Sequence, residues 1–275
     1  MFVGLSMWSF EKEAFSGNMD IEDFIRYSSE HDYEAIELLD CFWRENKPAV
    51  SETVRLAKEE KLPIGCYAIA NDFAQPDERA RARQVEYVRQ GIETAEKMGA
   101  PVLRVFGGTP KKGVTYEDAL PWIVECFRAC TDLAEGKGVT LAMENHGLLS
   151  GSWKQVMEII RKVDSPNFCA TLDFGNFLLV DESPLIAVRN LLPYVGHVHC
   201  KDFAGAPEDE DHVFSSLLGK RYCGCVPGEG QAEVDEILSL LKLRGYHGMV
   251  SIEYEGSEPC EKALPKCHDF VKKYL

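Results

Sequence analysis

The sequence has no apolar run approaching the ~18 residues of a membrane-spanning helix. It has no Lys/Arg stripe either, and 30 basic against 45 acidic side chains leave the 275 residues with a formal charge of −15. Nucleic acid and acidic membrane surfaces would therefore have to bind against the overall field, and neither is expected as a partner. No basic region precedes Met1-Phe-Val-Gly-Leu5, which reads as a strand and not as a signal peptide, so the expected location is the cytoplasm. No GxGxxG follows the first strand, which removes support for dinucleotide binding of that type. No CxxC has a matching second pair, so the ten cysteines read as reduced core thiols and not as a disulfide framework or a structural zinc site. No Pro/Gly/Ser-rich linker divides the chain, and one domain over residues 1–275 is expected.

What is present is an ordinary globular composition, 45% hydrophobic and 27% charged, enough to bury one sizeable core. Short apolar runs alternate with longer amphipathic stretches from end to end, the pattern of βα units and a parallel sheet. The periodicity predicts eight strands, over 3–8, 34–39, 63–69, 101–106, 138–144, 168–173, 195–200 and 248–253. Helices are predicted over 20–31, 48–60, 76–99, 116–136, 152–163, 183–192, 232–244 and 260–274. Eight units of this size predict a closed (β/α)8 TIM barrel in preference to a doubly wound open sheet.

In such a barrel the chemistry lies where strands end, so the polar residues that close the apolar runs are the candidates. Glu144, Asp173, His199 and Glu253 end the fifth to eighth strands. Buried carboxylates need a cationic partner. Three carboxylates and one imidazole suit a single divalent ion, Mn²⁺, Mg²⁺ or Co²⁺, with Zn²⁺ also compatible. The bland alternative is that one or two of these acids cap the following helices.

Glu144-Asn-His146, Asp173-Phe-Gly-Asn176, His197-Val-His199-Cys-Lys201-Asp202, Gly228-Glu-Gly230 and Ser251-Ile-Glu253-Tyr-Glu-Gly256 together resemble the xylose isomerase-like barrel family of sugar isomerases and epimerases, over nearly the whole chain. The resemblance implies that Glu144, Asp173, His199 and Glu253 bind one divalent metal, often manganese. It also implies that Glu144 and Glu253 exchange a substrate proton from opposite faces. His197, two residues before His199, reads as an interior histidine. Two departures from the ketose epimerases weigh against a free-ketose 3-epimerase: Asn176 stands where they carry histidine, and Gly205 where they carry arginine.

A metal with open positions can hold the two oxygens of a hydroxy-carbonyl compound, acidify the hydrogen between them and stabilise the resulting enediolate. The leading expectation is thus a metal-dependent isomerase or epimerase of a small carbohydrate or polyol. His146 offers a second base. Glu-x-His here, with His-x-Lys on the seventh strand, also resembles dehydratases that expel a β-oxygen, acting on keto-inositols, dehydroshikimate or keto-glycosides. The superfamily's abasic-site endonucleases are a remote alternative, opposed by the charge and by only seven histidines.

Further candidates surround this centre. Lys201 reads either as a substrate or oxyanion contact or as an ion pair with Asp202 or Glu229. Glu37 reads as a substrate hydrogen bond or a partner of Arg104, Asn176 and Trp8 as substrate contacts, and Arg221 as a contact from a lid over 203–231. A homo-oligomer is compatible with the sequence.

Overall fold

The computed structural model describes residues 1–42 and 49–275. The strands, in chain order, are β1 (Phe2–Ser6), β2 (Ala35–Leu39), β3 (Ile64–Ala68), β4 (Val102–Val105), β5 (Thr140–Glu144), β6 (Phe168–Asp173), β7 (Val195–Cys200), β8 (Asp202–Gly205), β9 (Phe214–Ser215), β10 (Arg221–Cys225) and β11 (Met249–Ile252). Eight of them close a parallel barrel in the order β1-β11-β7-β6-β5-β4-β3-β2. The expected (β/α)8 barrel is the observed architecture.

The helices are α1 (Glu11–Ser16), α2 (Ile21–Glu30), α3 (Val50–Glu59), α4 (Glu78–Met98), α5 (Tyr116–Ala134), α6 (Trp153–Val163), α7 (Phe174–Leu179), α8 (Pro184–Leu191), α9 (Val234–Leu243) and α10 (Cys260–Lys272). Their starts follow from local chemistry. Asp20, Thr115 and Ser152 each accept the backbone N–H three residues on, while the side chain at that third position accepts from the cap. The predicted helix over 48–60 begins at Pro48, which lies outside the described residues; its body is α3. None of the described helices is long and apolar enough to cross a membrane. All ten cysteines are free.

Three segments depart from the predicted pattern. The first strand stops at Ser6, whose Oγ accepts the Trp8 N–H at 3.3 Å and turns Met7–Phe10 into a 3-10 helix. α7 follows directly on β6 because Asp173 caps it through the Asn176 N–H. The region predicted as a lid is a small antiparallel sheet of order β8-β10-β9. One buried carboxylate fixes it: Asp202 accepts backbone N–H groups from Phe203, Gly228, Gly230 and Ala232 at 2.8 to 3.0 Å. Four donors converging on one anion organise the turn, and Phe203, packed against Phe214 and Tyr222, buries its apolar side.

At the N-terminal end of the barrel the interior is closed by Met249 packed with Ala35 and Cys66. A Cβ on Gly4 or Gly65 would lie 2.3 or 2.7 Å from the Met249 sulfur, so those two positions leave the room that the thioether fills.

Candidate active site

β5, β6, β7 and β11 bring the predicted quartet together at the C-terminal end of the barrel. His199 is fully buried, and its Nδ1 lies 3.5 Å from Glu144 Oε2, 3.4 Å from Glu253 Oε2 and 3.8 Å from Asp173 Oδ2. Among the described residues, Glu144, Asp173 and His199 offer ligand atoms that all lie within 4.8 Å of one another. His199 Nδ1 and Asp173 Oδ2 are buried without a hydrogen-bond partner, although Lys201 Nζ approaches that Asp173 oxygen to 3.0 Å. Oxygen and imidazole ligands at about 2.1 Å from one ion would stand some 3 Å or more apart, so the donor set fits a divalent cation.

The electrostatics point the same way. Glu37, Glu144, Asp173, Glu253 and Glu255 face the two fixed cations Arg104 and Lys201, a local excess of three negative charges. Burial would keep His199 neutral, but Glu37, Glu253 and Glu144 outweigh it and push its pKa well above the usual imidazole range. A metal ion would replace that proton on Nδ1.

Beneath the quartet, Glu37 orients the imidazole. His199 Nε2 is 3.1 Å from both Glu37 oxygens, and His197 Nε2 is 2.9 Å from Oε2. Burial alone would raise the Glu37 pKa, yet the two histidines hold it well below the carboxylate range. Burial lowers the pKa of His197, so it donates as a neutral ring. With Nε2–H given to Glu37, the His199 lone pair is left on Nδ1, where a ligand must have it. Glu37 is therefore beneath the site and not in its wall, which corrects its expected role as a substrate contact; its partners are the two histidines and not Arg104.

Each carboxylate of the quartet has its own support. Arg104 Nε lies 3.2 Å from Glu144 Oε2, with the guanidinium 4.1 Å from the Phe106 ring centre. Asn176 donates from Nδ2 to Glu144 Oε1 at 3.0 Å and to the Asn145 carbonyl at 3.1 Å. It thus holds Glu144 in place of the substrate it was expected to touch. Asn145 bridges β5 to β6 through both Asp173 backbone groups. Lys201 Nζ pairs with Glu253 at 2.7 Å, Asp173 at 3.0 Å and Glu255 at 3.2 Å, and not with Asp202 or Glu229. Burial, reinforced by repulsion from Glu253 and Asp173, raises the Glu144 pKa despite Arg104 and His199. For Glu253, burial is outweighed by Lys201 and His199, which hold it ionised.

Above these groups opens a cavity of about 310 Å³ whose wall includes Trp8, Arg104, Phe106, Glu144, His146, Lys201, Glu253 and Glu255. Trp8 Nε1 donates to Glu255 Oε1 at 2.5 Å. His146 is open to the cavity, its ring 4.7 Å from that of Phe106. The surrounding protein, then Lys201 and Arg104, push its pKa down, and water reaching the ring weakens all three effects. Arg221 does not line the cavity. It is exposed on β10 and donates to the backbone carbonyls of Glu208 and Glu210, while Lys220 pairs with Asp181. Sequence reasoning missed Glu255 and undervalued Arg104. The signals were a carboxylate two residues after Glu253, hence on its side, and a lone arginine inside an apolar strand.

Residues 25–274 match the family model described as xylose isomerase-like TIM barrel. The chain is 26% identical over 261 residues to L-ribulose-5-phosphate 3-epimerase of Escherichia coli, covering 91% of this chain and 84% of the other. It is 28% identical over 149 residues to inosose dehydratase of Bacillus thuringiensis, about half of each chain. Among solved structures it resembles the probable 3-DHS dehydratase AsbF of Bacillus anthracis, with a TM-score of 0.79, 20% identity and 99% coverage of both chains. It also resembles the IolI protein with a bound zinc atom, with a TM-score of 0.78, 18% identity and 100% and 96% coverage. These relatives include both epimerases and dehydratases. With residues 25–274 matched by that model, the chain belongs to the xylose isomerase-like TIM barrel family.

Proposed function

We propose that the protein is a metal-dependent isomerase or epimerase of a small polyhydroxy carbonyl compound, working by proton transfer at the carbon next to the carbonyl. One observation carries the reading: Glu144 and Glu253 both reach the cavity, and one oxygen of each lies 3.5 and 3.4 Å from the same His199 Nδ1. One carboxylate would take the proton and the other return it to the opposite face. A divalent cation bound by Glu144, Asp173, His199 and Glu253, with manganese the first choice, would supply Lewis-acid pull on the substrate oxygens. Lys201 Nζ, 2.7 Å from Glu253, holds that carboxylate at the cavity wall.

A second reading, elimination of a β-oxygen, is favoured by His146, whose ring faces the cavity and is kept neutral. Turnover in deuterium oxide separates the two. Isomerisation places deuterium in a product of unchanged formula, whereas elimination yields an unsaturated product lighter by the leaving group. An active substrate that shows neither refutes both readings.

A further inference from the structure

The relatives include an enzyme named for a phosphorylated sugar and others named for unphosphorylated compounds, and the family fold does not choose between them. The cavity's own charges do. Among the described residues its wall sets the carboxylates Glu144, Glu253 and Glu255 against two cations, Arg104 and Lys201.

Neither cation is available to grip an anionic group. Arg104 is committed to Glu144 and, from a terminal nitrogen, to the Ile69 carbonyl at 3.1 Å. Lys201 is shared among three carboxylates and is about 6% exposed at its side chain. Outside the wall, buried Glu37 and Asp173 add two more negative charges within the same centre. A divalent ion would cancel only part of the excess. A phosphate or carboxylate substituent entering here would meet net negative charge, and like charges repel.

What the wall offers instead is acceptors for hydroxyl groups and flat apolar surface. Glu255 presents one carboxylate tied to Trp8 and Lys201, and Trp8 and Phe106 provide ring faces for the C–H side of a polyol. We propose that the substrate is electrically neutral, an unphosphorylated and uncarboxylated polyhydroxy ketone, and that Glu255 is a specificity determinant that repels charged analogues. The inference rests on the proposed function for its choice of a hydroxy-carbonyl compound.

Calorimetric titration of the Mn²⁺-loaded protein tests it without requiring turnover. The probes are neutral ketohexoses and 2-keto-myo-inositol against ketose phosphates and dehydroshikimate, with free metal held in excess. The best neutral ketone is expected to bind at least about tenfold more tightly than any anionic probe, and Glu255→Gln to narrow that gap at least about threefold. An anionic probe that binds as tightly as the best neutral ketone, failure of every neutral ketone to bind, or an unchanged gap in Glu255→Gln overturns the assignment. A neutral ketone that binds but never exchanges its α-hydrogen with deuterium oxide refutes the proposed function and leaves this selectivity standing. A phosphate ester that binds and exchanges does the reverse.

Discussion

Glu37→Gln isolates the contribution of the carboxylate beneath His199, the proposed nitrogen ligand. In the native protein two Nε2–H groups, from His197 at 2.9 Å and His199 at 3.1 Å, converge on one fully buried anion. An amide of the same shape has one oxygen to accept with and an NH2 group that can only donate. One histidine must then change tautomer or lose its partner. If it is His199, the proton moves to Nδ1 and blocks the ligand lone pair; if it is His197, the ligand still loses the full negative charge that raises its basicity. Losing such a partner typically costs about 10- to 100-fold in metal affinity, or about 1.4 to 2.7 kcal/mol. Competition with a fluorescent chelator at pH 7.5 measures the dissociation constant of Mn²⁺ directly. Circular dichroism of the same variant shows whether the barrel is intact. A folded Glu37→Gln that binds Mn²⁺ within about twofold of wild type refutes the account of Glu37 as the group that sets the His199 tautomer.

Two other substitutions probe the frame around the site. Asp72 accepts from the Ala74 and Thr109 N–H groups at 3.1 Å, from Thr109 Oγ1 and Gln75 Nε2 at 2.9 Å, and from Lys111, so Asp72→Asn should lower stability by about 1 to 3 kcal/mol in neutral urea titrations. Burial raises its pKa, but these partners lower it overall; its contribution is therefore present above the unfolded carboxyl pKa and lost as pH falls through the lower folded value, and wild type and variant should converge in acid. A gap that stays constant from pH 7 to pH 3 would assign the effect to something other than the charge. A Cβ at Gly224 would lie 2.3 Å from the Glu255 backbone carbonyl, so Gly224→Ala should cost about 1 to 3 kcal/mol by overpacking and reduce kcat/KM by displacing Glu255. Wild-type stability together with wild-type kinetics would mean that β10 does not position that wall of the cavity.

The barrel was legible because each strand is a short apolar run and each helix an amphipathic one, so the pattern repeats along the chain. The quartet was legible for a related reason: a carboxylate or imidazole closing a buried strand is out of place unless something uses it. What stayed hidden was pairing. Glu37, Asn176 and Lys201 were placed at the right end of the barrel, but their partners come from strands distant in sequence, 160 residues away in the case of Glu37 and His197. The small β8-β10-β9 sheet was read as a lid because its strands are short and its glycines and charges look like loop. The deciding interactions there are backbone N–H groups converging on Asp202, and nothing in a residue's identity advertises a backbone donor.

The Met249 plug has a consequence for how this barrel can drift in sequence. Gly4, Gly65 and Met249 occupy one shared volume, so a methyl group added at either glycine collides with the thioether. Replacing Met249 by a smaller residue alone would leave an unfilled hole between them. Made together, those changes restore the filling of the same space. The three positions are thus epistatic: the cost of a change at one depends on which residue already stands at the other two.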